Sequence, residues 1–247
     1  MERPPEISLE SYDAERRDFD LVLAAIRRAH SASPTDLENL DWIEEWVSAV
    51  GLGNLPAFED AYLDKAHLVN GSHQGIVQYP REFARWLRFL AEHRASSYLE
   101  IGCYNGATAC LATAYLHRFN PAFRASTIDL YPWFLFHHLV RDLIPLEYCV
   151  GATSFQFRTQ AFDAVFIDAD HGFPWAWADY ENAGRAARIT GLHDIRSQHY
   201  YENEELGGVT AVWELIKRDE GGPGITFHEI AEHPAKMFGI GIRIRDG

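Results

Sequence analysis

Cysteine is scarce in this chain, and cations are outnumbered. Only Cys103, Cys110 and Cys149 occur in 247 residues, with no Cys-x-x-Cys pair among them. They fall inside predicted strands and helices, which argues against a disulfide-stapled fold and for a reducing, cytoplasmic setting. Lys and Arg number 22 against 36 Asp and Glu, a formal charge of −14. A phosphate backbone or an anionic membrane needs clustered cations, so nucleic acid and membrane partners are not expected. Long apolar runs are missing too. The most apolar stretch, Trp133 to Val140, is far too short to span a bilayer and carries His137 and His138. The opening Met-Glu-Arg-Pro-Pro-Glu has no signal-peptide pattern, and a soluble protein is expected.

What the chain does have is a core. Apolar residues make up 47%, enough for one α/β domain with an extension rather than two full domains. Residues 1–79 read as an N-terminal helical extension and substrate-side loop, and residues 80–247 as the main domain. Amphipathic spacing predicts helices over Ala14–His30 and Leu37–Val50, punctuated by Pro34 and Gly51. Leu21, Leu23 and Ile26 on the first are expected to pack on the main domain, where the extension can serve as lid or dimer contact. Leu52 to Tyr79 lacks periodicity, and long irregular segments in compact domains are often functional. A further helix is predicted over Arg81–His93.

The chain is organised around Tyr98-Leu-Glu-Ile-Gly-Cys-Tyr-Asn-Gly and the Ala-rich run that follows. This reads as strand, glycine turn and helix. Gly102 and Gly106 allow positive φ and close approach of a ligand, and the following helix opens with unpaired N–H groups. A dinucleotide fold wants Gly-x-Gly-x-x-Gly to seat a pyrophosphate, whereas here the spacing is Glu-x-Gly-x-x-x-Gly. Glu100 would repel a pyrophosphate and suit a cationic ligand.

Ala122 to Leu130 predicts a second strand ending in Asp129, which can accept both hydroxyls of a ribose. Phe134–Leu143 is expected to be helical and Leu146–Val150 to be a third strand. Thr153, just beyond it, either borders an adenine or caps a helix. Phe162-Asp-Ala-Val-Phe-Ile-Asp-Ala-Asp-His-Gly delivers Asp168, Asp170 and His171 at the carboxyl end of a fourth strand. Side-chain alternation turns Asp168 and His171 inward and Asp170 toward solvent or a helix cap. A helix over Trp175–Arg188 leads to Ile189-Thr-Gly-Leu-His-Asp-Ile, which ends a fifth strand with His193 and Asp194. Neighbouring ends of a parallel sheet meet, so Asp168 and Asp194 can share a divalent cation. Val209–Arg218 reads as a helix, and Ile225–Ile230 with Met237–Ile244 as an antiparallel pair.

The glycine loop resembles motif I of class I S-adenosylmethionine-dependent methyltransferases. From about Gly75 to Lys217 the chain is similar to the metal-dependent small-molecule O-methyltransferases. Ile-Asp-Ala-Asp-His, Leu-His-Asp-Ile, Gly75-Ile-Val-Gln-Tyr-Pro-Arg-Glu-Phe and Gly208-Val-Thr-Ala-Val-Trp-Glu-Leu-Ile-Lys look closest to the sugar and macrolide-sugar branch. The resemblance implies a Rossmann-like seven-stranded sheet of order 3-2-1-4-5-7-6. It implies that S-adenosylmethionine meets Glu100, Gly102, Tyr104, Gly106, Asp129, Thr153 and Asp168. A divalent cation, Mg in that branch, would sit on Asp168 and Asp194, with His171 as general base and a carbohydrate hydroxyl as acceptor; His193 is a further metal-ligand candidate. His73, Gln78, Tyr79 and His199 are the substrate-facing candidates. His193 stands where the branch usually has a Glu or another residue beside the metal aspartate, and an imidazole tolerates Mn, Zn or Co as well as Mg. The usual Pro-Gly-Gly turn is replaced by Arg188-Ile-Thr-Gly-Leu, which predicts a short or displaced fifth strand. Three rival readings stand beside this one: a catechol-type phenol O-methyltransferase, a non-catalytic methyltransferase-like binding protein, and an NAD-type oxidoreductase. Glu100 and the absent third glycine oppose the last.

Overall fold

The computed structural model describes residues 9–53, 64–196, 208–235 and 237–246. Its centre is a seven-stranded sheet of order β3-β2-β1-β4-β5-β7-β6, as the resemblance implies. The strands are β1 (Ser97–Ile101), β2 (Arg124–Asp129), β3 (Leu146–Val150), β4 (Ala164–Ile167), β5 (Ile189–His193), β6 (Ile225–Ile230) and β7 (Ile240–Arg245). The first five run parallel, and β7 is antiparallel to both β5 and β6. Register pairs Ile101 with Ile128 on one side and with Ile167 on the other, and Ile167 with Leu192. The carboxyl ends of four strands therefore share one rim, where open α/β sheets bind ligands.

Alternation along the strands divides the core in two. Tyr98 and Phe166 face one layer, with α1 (Leu9–Ser31), α4 (Pro80–Glu92) and α5 (Ala107–His117) packed there. Leu99, Ile101, Val165, Ile167 and Leu192 face the other, against α6 (Phe173–Asp179) and α7 (Gly208–Glu220). Gly241 of β7 makes room for α7, since a Cβ there would stand 2.6 Å from the Trp213 ring.

The N-terminal helices are tied to α5. Arg118 donates to the carbonyls of Ala29 and Ala32 at 2.9 and 3.0 Å, closing the end of α1. The Tyr115 hydroxyl donates to the Leu37 carbonyl at 2.6 Å. Four sequence expectations are corrected here. The first helix begins at Leu9, and Leu21 points outward at 38% exposed while Phe19, Val22 and Ile26 are buried. The second divides into α2 (Pro34–Glu38) and α3 (Leu40–Ser48), because the Asn39 side chain accepts the Asp41 N–H and starts a new helix. Phe134–Leu143 forms only a 3₁₀ turn at His137–Leu139, held by aromatic contacts of Phe134 and His137 with Tyr148. The strand expected to be short or displaced, β5, is a regular five-residue strand paired on both sides. Before it, α6 widens into a π turn at Tyr180–Gly184, and the Thr190 hydroxyl donates to the Gly184 carbonyl at 2.7 Å.

Candidate active site

The rim at β1, β4 and β5 opens into a cleft of about 220 Å³. Its walls include Gly102, Tyr104 and Thr108 from the β1–α5 junction, and Asp168, His171, His193 and Asp194 from the ends of β4 and β5.

The β1–α5 junction is tightly folded. Gly102 (φ 88), Tyr104 (φ 47) and Gly106 (φ 81) all take left-handed backbone. Both glycines are closely packed by protein atoms, and Gly102 also lines the cleft. A Cβ on Gly102 would lie 2.3 Å from the Asp168 carbonyl oxygen, and one on Gly106 would lie 2.4 Å from the Phe134 ring. Their role is to bring β4's end and Phe134 against the loop. Glu100 is 1% exposed and sits one layer behind the cleft. It accepts from the Thr108 hydroxyl at 2.6 Å and the Tyr98 hydroxyl at 2.8 Å. Burial pushes its carboxyl up to about 8, against those two donors.

Asp129 at the end of β2 accepts from the Tyr104 and Tyr131 N–H groups, each at 3.0 Å, and burial raises its pKa. It thereby braces the same loop from the end of β2. Thr153 takes the capping alternative: its N–H and hydroxyl both donate to the Gln156 side chain at the start of a 3₁₀ turn.

The acid–imidazole cluster is the most charged part of the cleft. The Asp168 N–H donates to the Ile101 carbonyl at 2.9 Å, fixing β4's end beside the glycine loop. His193 Nδ1 is 3.0 Å from Asp168 Oδ1 and 3.6 Å from Asp194 Oδ1. His171 Nε2 is 3.4 Å from Asp168 Oδ1 and 3.3 Å from Asp194 Oδ2. All four residues offer a ligand atom within 4.8 Å of one another. Asp194 has φ 62, a left-handed turn that lifts its carboxylate back over the strand end. As alternation predicted, Asp170 turns away and accepts from the Gly172 N–H at 2.8 Å.

Electrostatics follow from this packing. Burial alone would raise the Asp168 pKa, but His193 and His171 outweigh it and hold the carboxyl below its ordinary range. Burial alone would lower His171 and His193. The Asp194 and Asp168 carboxylates reverse that, raising His171 and pushing His193 up to about 9.

A divalent cation fits this donor set. Ligand atoms about 2.0–2.2 Å from an ion lie roughly 3.0–3.5 Å from one another; the four His–Asp separations run from 3.0 to 3.6 Å, and all four ligand atoms lie within 4.8 Å of one another. The buried His193 Nε2 has no hydrogen-bond partner among the described residues, so only Nδ1 is engaged and it faces the carboxylates.

The substrate-facing candidates are spread out. Gln78 lines the cleft and donates to Asp168 Oδ2 at 2.6 Å. His73 lines a separate small cavity, with its Nδ1 3.2 Å from Glu15. The Tyr79 hydroxyl donates to Asp64 at 2.7 Å. His199 lies outside the described residues. Sequence reasoning missed Asn105, whose Nδ2 donates to the His73 and Gly75 carbonyls at 2.6 and 2.7 Å. It also missed Phe238, stacked on His193 at 5.8 Å. An asparagine inside the glycine loop was the only signal for the first; nothing local marks the second.

No protein-family model matches this chain, and no curated protein matches it in sequence. Among solved structures it is similar to the O-methyltransferase TomG from Streptomyces achromogenes, involved in tomaymycin synthesis and in complex with SAM. The identity is 16% over 83% of this chain and 96% of that one, with a TM-score of 0.54. It is also similar to an O-methyltransferase from Bacillus cereus in complex with SAH, at 13% identity over 95% of this chain and 97% of that one, with a TM-score of 0.51. At such identities the likeness is one of architecture: this chain has the Rossmann-like seven-stranded fold of class I methyltransferases.

Proposed function

We propose that the protein transfers a methyl group from S-adenosylmethionine to a hydroxyl of a sugar or glycosylated natural product, assisted by a divalent cation. The observation that carries this reading is the convergence of Asp168, His171, His193 and Asp194 at the ends of adjacent strands, beside the glycine loop. When bound, the adenosyl cofactor supplies an electrophilic methyl and the cation polarises the acceptor oxygen.

The chain's own residues divide the remaining work. Asp168, Asp194 and His193 would hold the cation. Their side chains are 17%, 9% and 2% exposed, and His171, at 20%, is the most open of the four. His171 is therefore assigned to the proton: its Nε2 takes the acceptor's hydroxyl proton as the oxygen accepts the methyl, and passes that proton to solvent. Its pull toward the protonated state comes from Asp194 and Asp168, and a cation on those carboxylates removes that pull. Tyr104 and Asp129 would bound the nucleoside side of the cleft. Positioning of oxygen and methyl in line contributes the rest, about 7–11 kcal/mol in favourable systems.

Calorimetric titration with S-adenosylmethionine and S-adenosylhomocysteine, with Mg²⁺, Mn²⁺ or a chelator present, tests the reading. Binding of both adenosyl ligands and of the metals is expected, followed by methyl transfer to members of a sugar panel. Turnover on simple aromatic diols alone would favour a phenol acceptor. Tight binding of a nicotinamide cofactor, with no adenosyl binding, would overturn the proposal.

A further inference from the structure

Gln78 has a one-sided hydrogen-bonding pattern that a structural glutamine does not need. It is 1% exposed and lies two residues before α4. Its segment is fixed from three directions: Leu52 bridges to Ile76, Asn105 binds the Gly75 carbonyl, and α4 begins at Pro80. The side chain is therefore delivered to the cleft by rigid elements.

There the amide Nε2 donates to Asp168 Oδ2 at 2.6 Å. An ionised carboxylate only accepts, so the amide's nitrogen end must face Asp168 and its oxygen end must face away. That oxygen, although buried, has no partner among the described residues. A buried amide oxygen left unpaired is costly, so the local packing is not arranged to satisfy this glutamine. It is arranged around the one bond to Asp168.

The consequence falls on the two oxygens of Asp168. Oδ1 faces the two imidazoles, at 3.0 and 3.4 Å, while Oδ2 is occupied by Gln78. A carboxylate bound through both oxygens uses two coordination positions; one whose second oxygen is held elsewhere uses one. We infer that Gln78 is a positioning residue that keeps Asp168 a single-oxygen ligand and so preserves an open coordination position for the acceptor hydroxyl. The inference rests on the metal-assisted reading above. Outer partners of this kind typically change metal affinity by about 10–100-fold when removed.

The test uses Co²⁺ as a spectroscopic probe on the whole protein, with Gln78→Met and Gln78→Asn as variants. Methionine keeps the length without a donor, and asparagine keeps the amide but falls one methylene short. In both, the visible Co²⁺ band should weaken relative to wild type, as expected for a higher coordination number, and Co²⁺ affinity by calorimetry should shift at least fivefold. Affinity for S-adenosylhomocysteine should stay within twofold. Wild-type band and affinity in both variants would overturn the inference alone. A parallel loss of S-adenosylhomocysteine binding would overturn it in favour of a general role in shaping the cleft. Failure of the wild-type protein to bind Co²⁺ at all would overturn the metal reading and this inference with it.

Discussion

Nδ1 of His193 lies 3.0 Å from Oδ1 of Asp168, while its Nε2, equally buried, meets no partner among the described residues. The ring is thus held by the carboxylates and by the stacking face of Phe238, and its engaged nitrogen is the one aimed into the cluster. On the metal-assisted reading, a nitrogen donor at this position would change which ions the site prefers. Imidazole suits Zn, Cu, Fe and Ni, whereas an all-oxygen set suits Mg. Mn²⁺, Co²⁺ and Zn²⁺ are expected to bind at least tenfold tighter than Mg²⁺, and His193→Asp should narrow or reverse that order. Equilibrium dialysis with each ion measures this. Equal Mg²⁺ and Co²⁺ affinity in the wild-type protein would remove His193 from the ligand set.

The same geometry makes the metal-free protein sensitive to alkali. Although burial opposes it, Asp194 and Asp168 push the His193 pKa up from 6.5 to about 9. A raised folded-state pKa stabilises through the protonated form, so that contribution is complete below pH 6.5 and is lost as pH rises through about 9. Glu100 acts in the same direction: burial pushes it from 4.5 to about 8, so its contribution fades across that interval. With a chelator present, stability should fall by roughly 4–5 kcal/mol between pH 6.5 and 9, somewhat more than half of it through His193 and the rest through Glu100. Urea unfolding at several pH values checks the sign, and His193→Asn should flatten the curve. A wild-type protein equally stable at pH 6.5 and 9 would contradict the assignment.

His171 is the group assigned to proton transfer, and its removal should act on turnover rather than on the cofactor. A placed imidazole base is worth about 10²–10⁴ in rate. His171→Ala is expected to lower methyl transfer at least tenfold while S-adenosylhomocysteine affinity stays within twofold. The pair of measurements is decisive: unchanged turnover removes His171 from the mechanism, and a matching loss of cofactor affinity makes it a binding residue.

Much of this architecture was legible because the central strands β1 and β4 carry a two-sided apolar signature. Tyr98 to Ile101 and Ala164 to Ile167 are continuous buried runs, and the carboxyl-terminal residues of such strands are the ones that meet at a ligand rim. Asp168, His171, His193 and Asp194 could therefore be named before any coordinates. What sequence could not supply was the direction in which each side chain turns. Glu100 looked like a cofactor contact, yet its carboxylate is consumed by Thr108 and Tyr98 behind the cleft. The helical look of Phe134–Leu143 yielded to ring packing on Tyr148 and the space left by Gly106. Asn39, an ordinary polar residue in a helical pattern, proved to be a helix cap because its side chain competes for backbone N–H groups. Tertiary packing decides each of these, and it has no short-range code.

The two glycines of the β1–α5 loop offer a final test, because their neighbours differ in kind. At Gly102 a Cβ would meet the Asp168 carbonyl oxygen at 2.3 Å and the Ala169 Cα at 2.4 Å. Both are backbone atoms and cannot step aside without moving the end of β4. At Gly106 the obstacle is the Phe134 ring at 2.4 Å, a side chain that can rotate at some loss of packing. Both positions also have left-handed backbone, which costs an L-residue about 1–2 kcal/mol. Adding about 1–3 kcal/mol for overpacking, Gly102→Ala should destabilise by roughly 3–5 kcal/mol and Gly106→Ala by roughly 2–3. Because the Gly102 clash bears on Asp168 itself, only Gly102→Ala should also weaken metal binding, by tenfold or more. Denaturant unfolding together with Co²⁺ titration separates the two variants. A Gly102→Ala protein with wild-type stability and metal affinity would mean that β4 does not press on this loop, and would undo the proposed link between the glycine loop and Asp168.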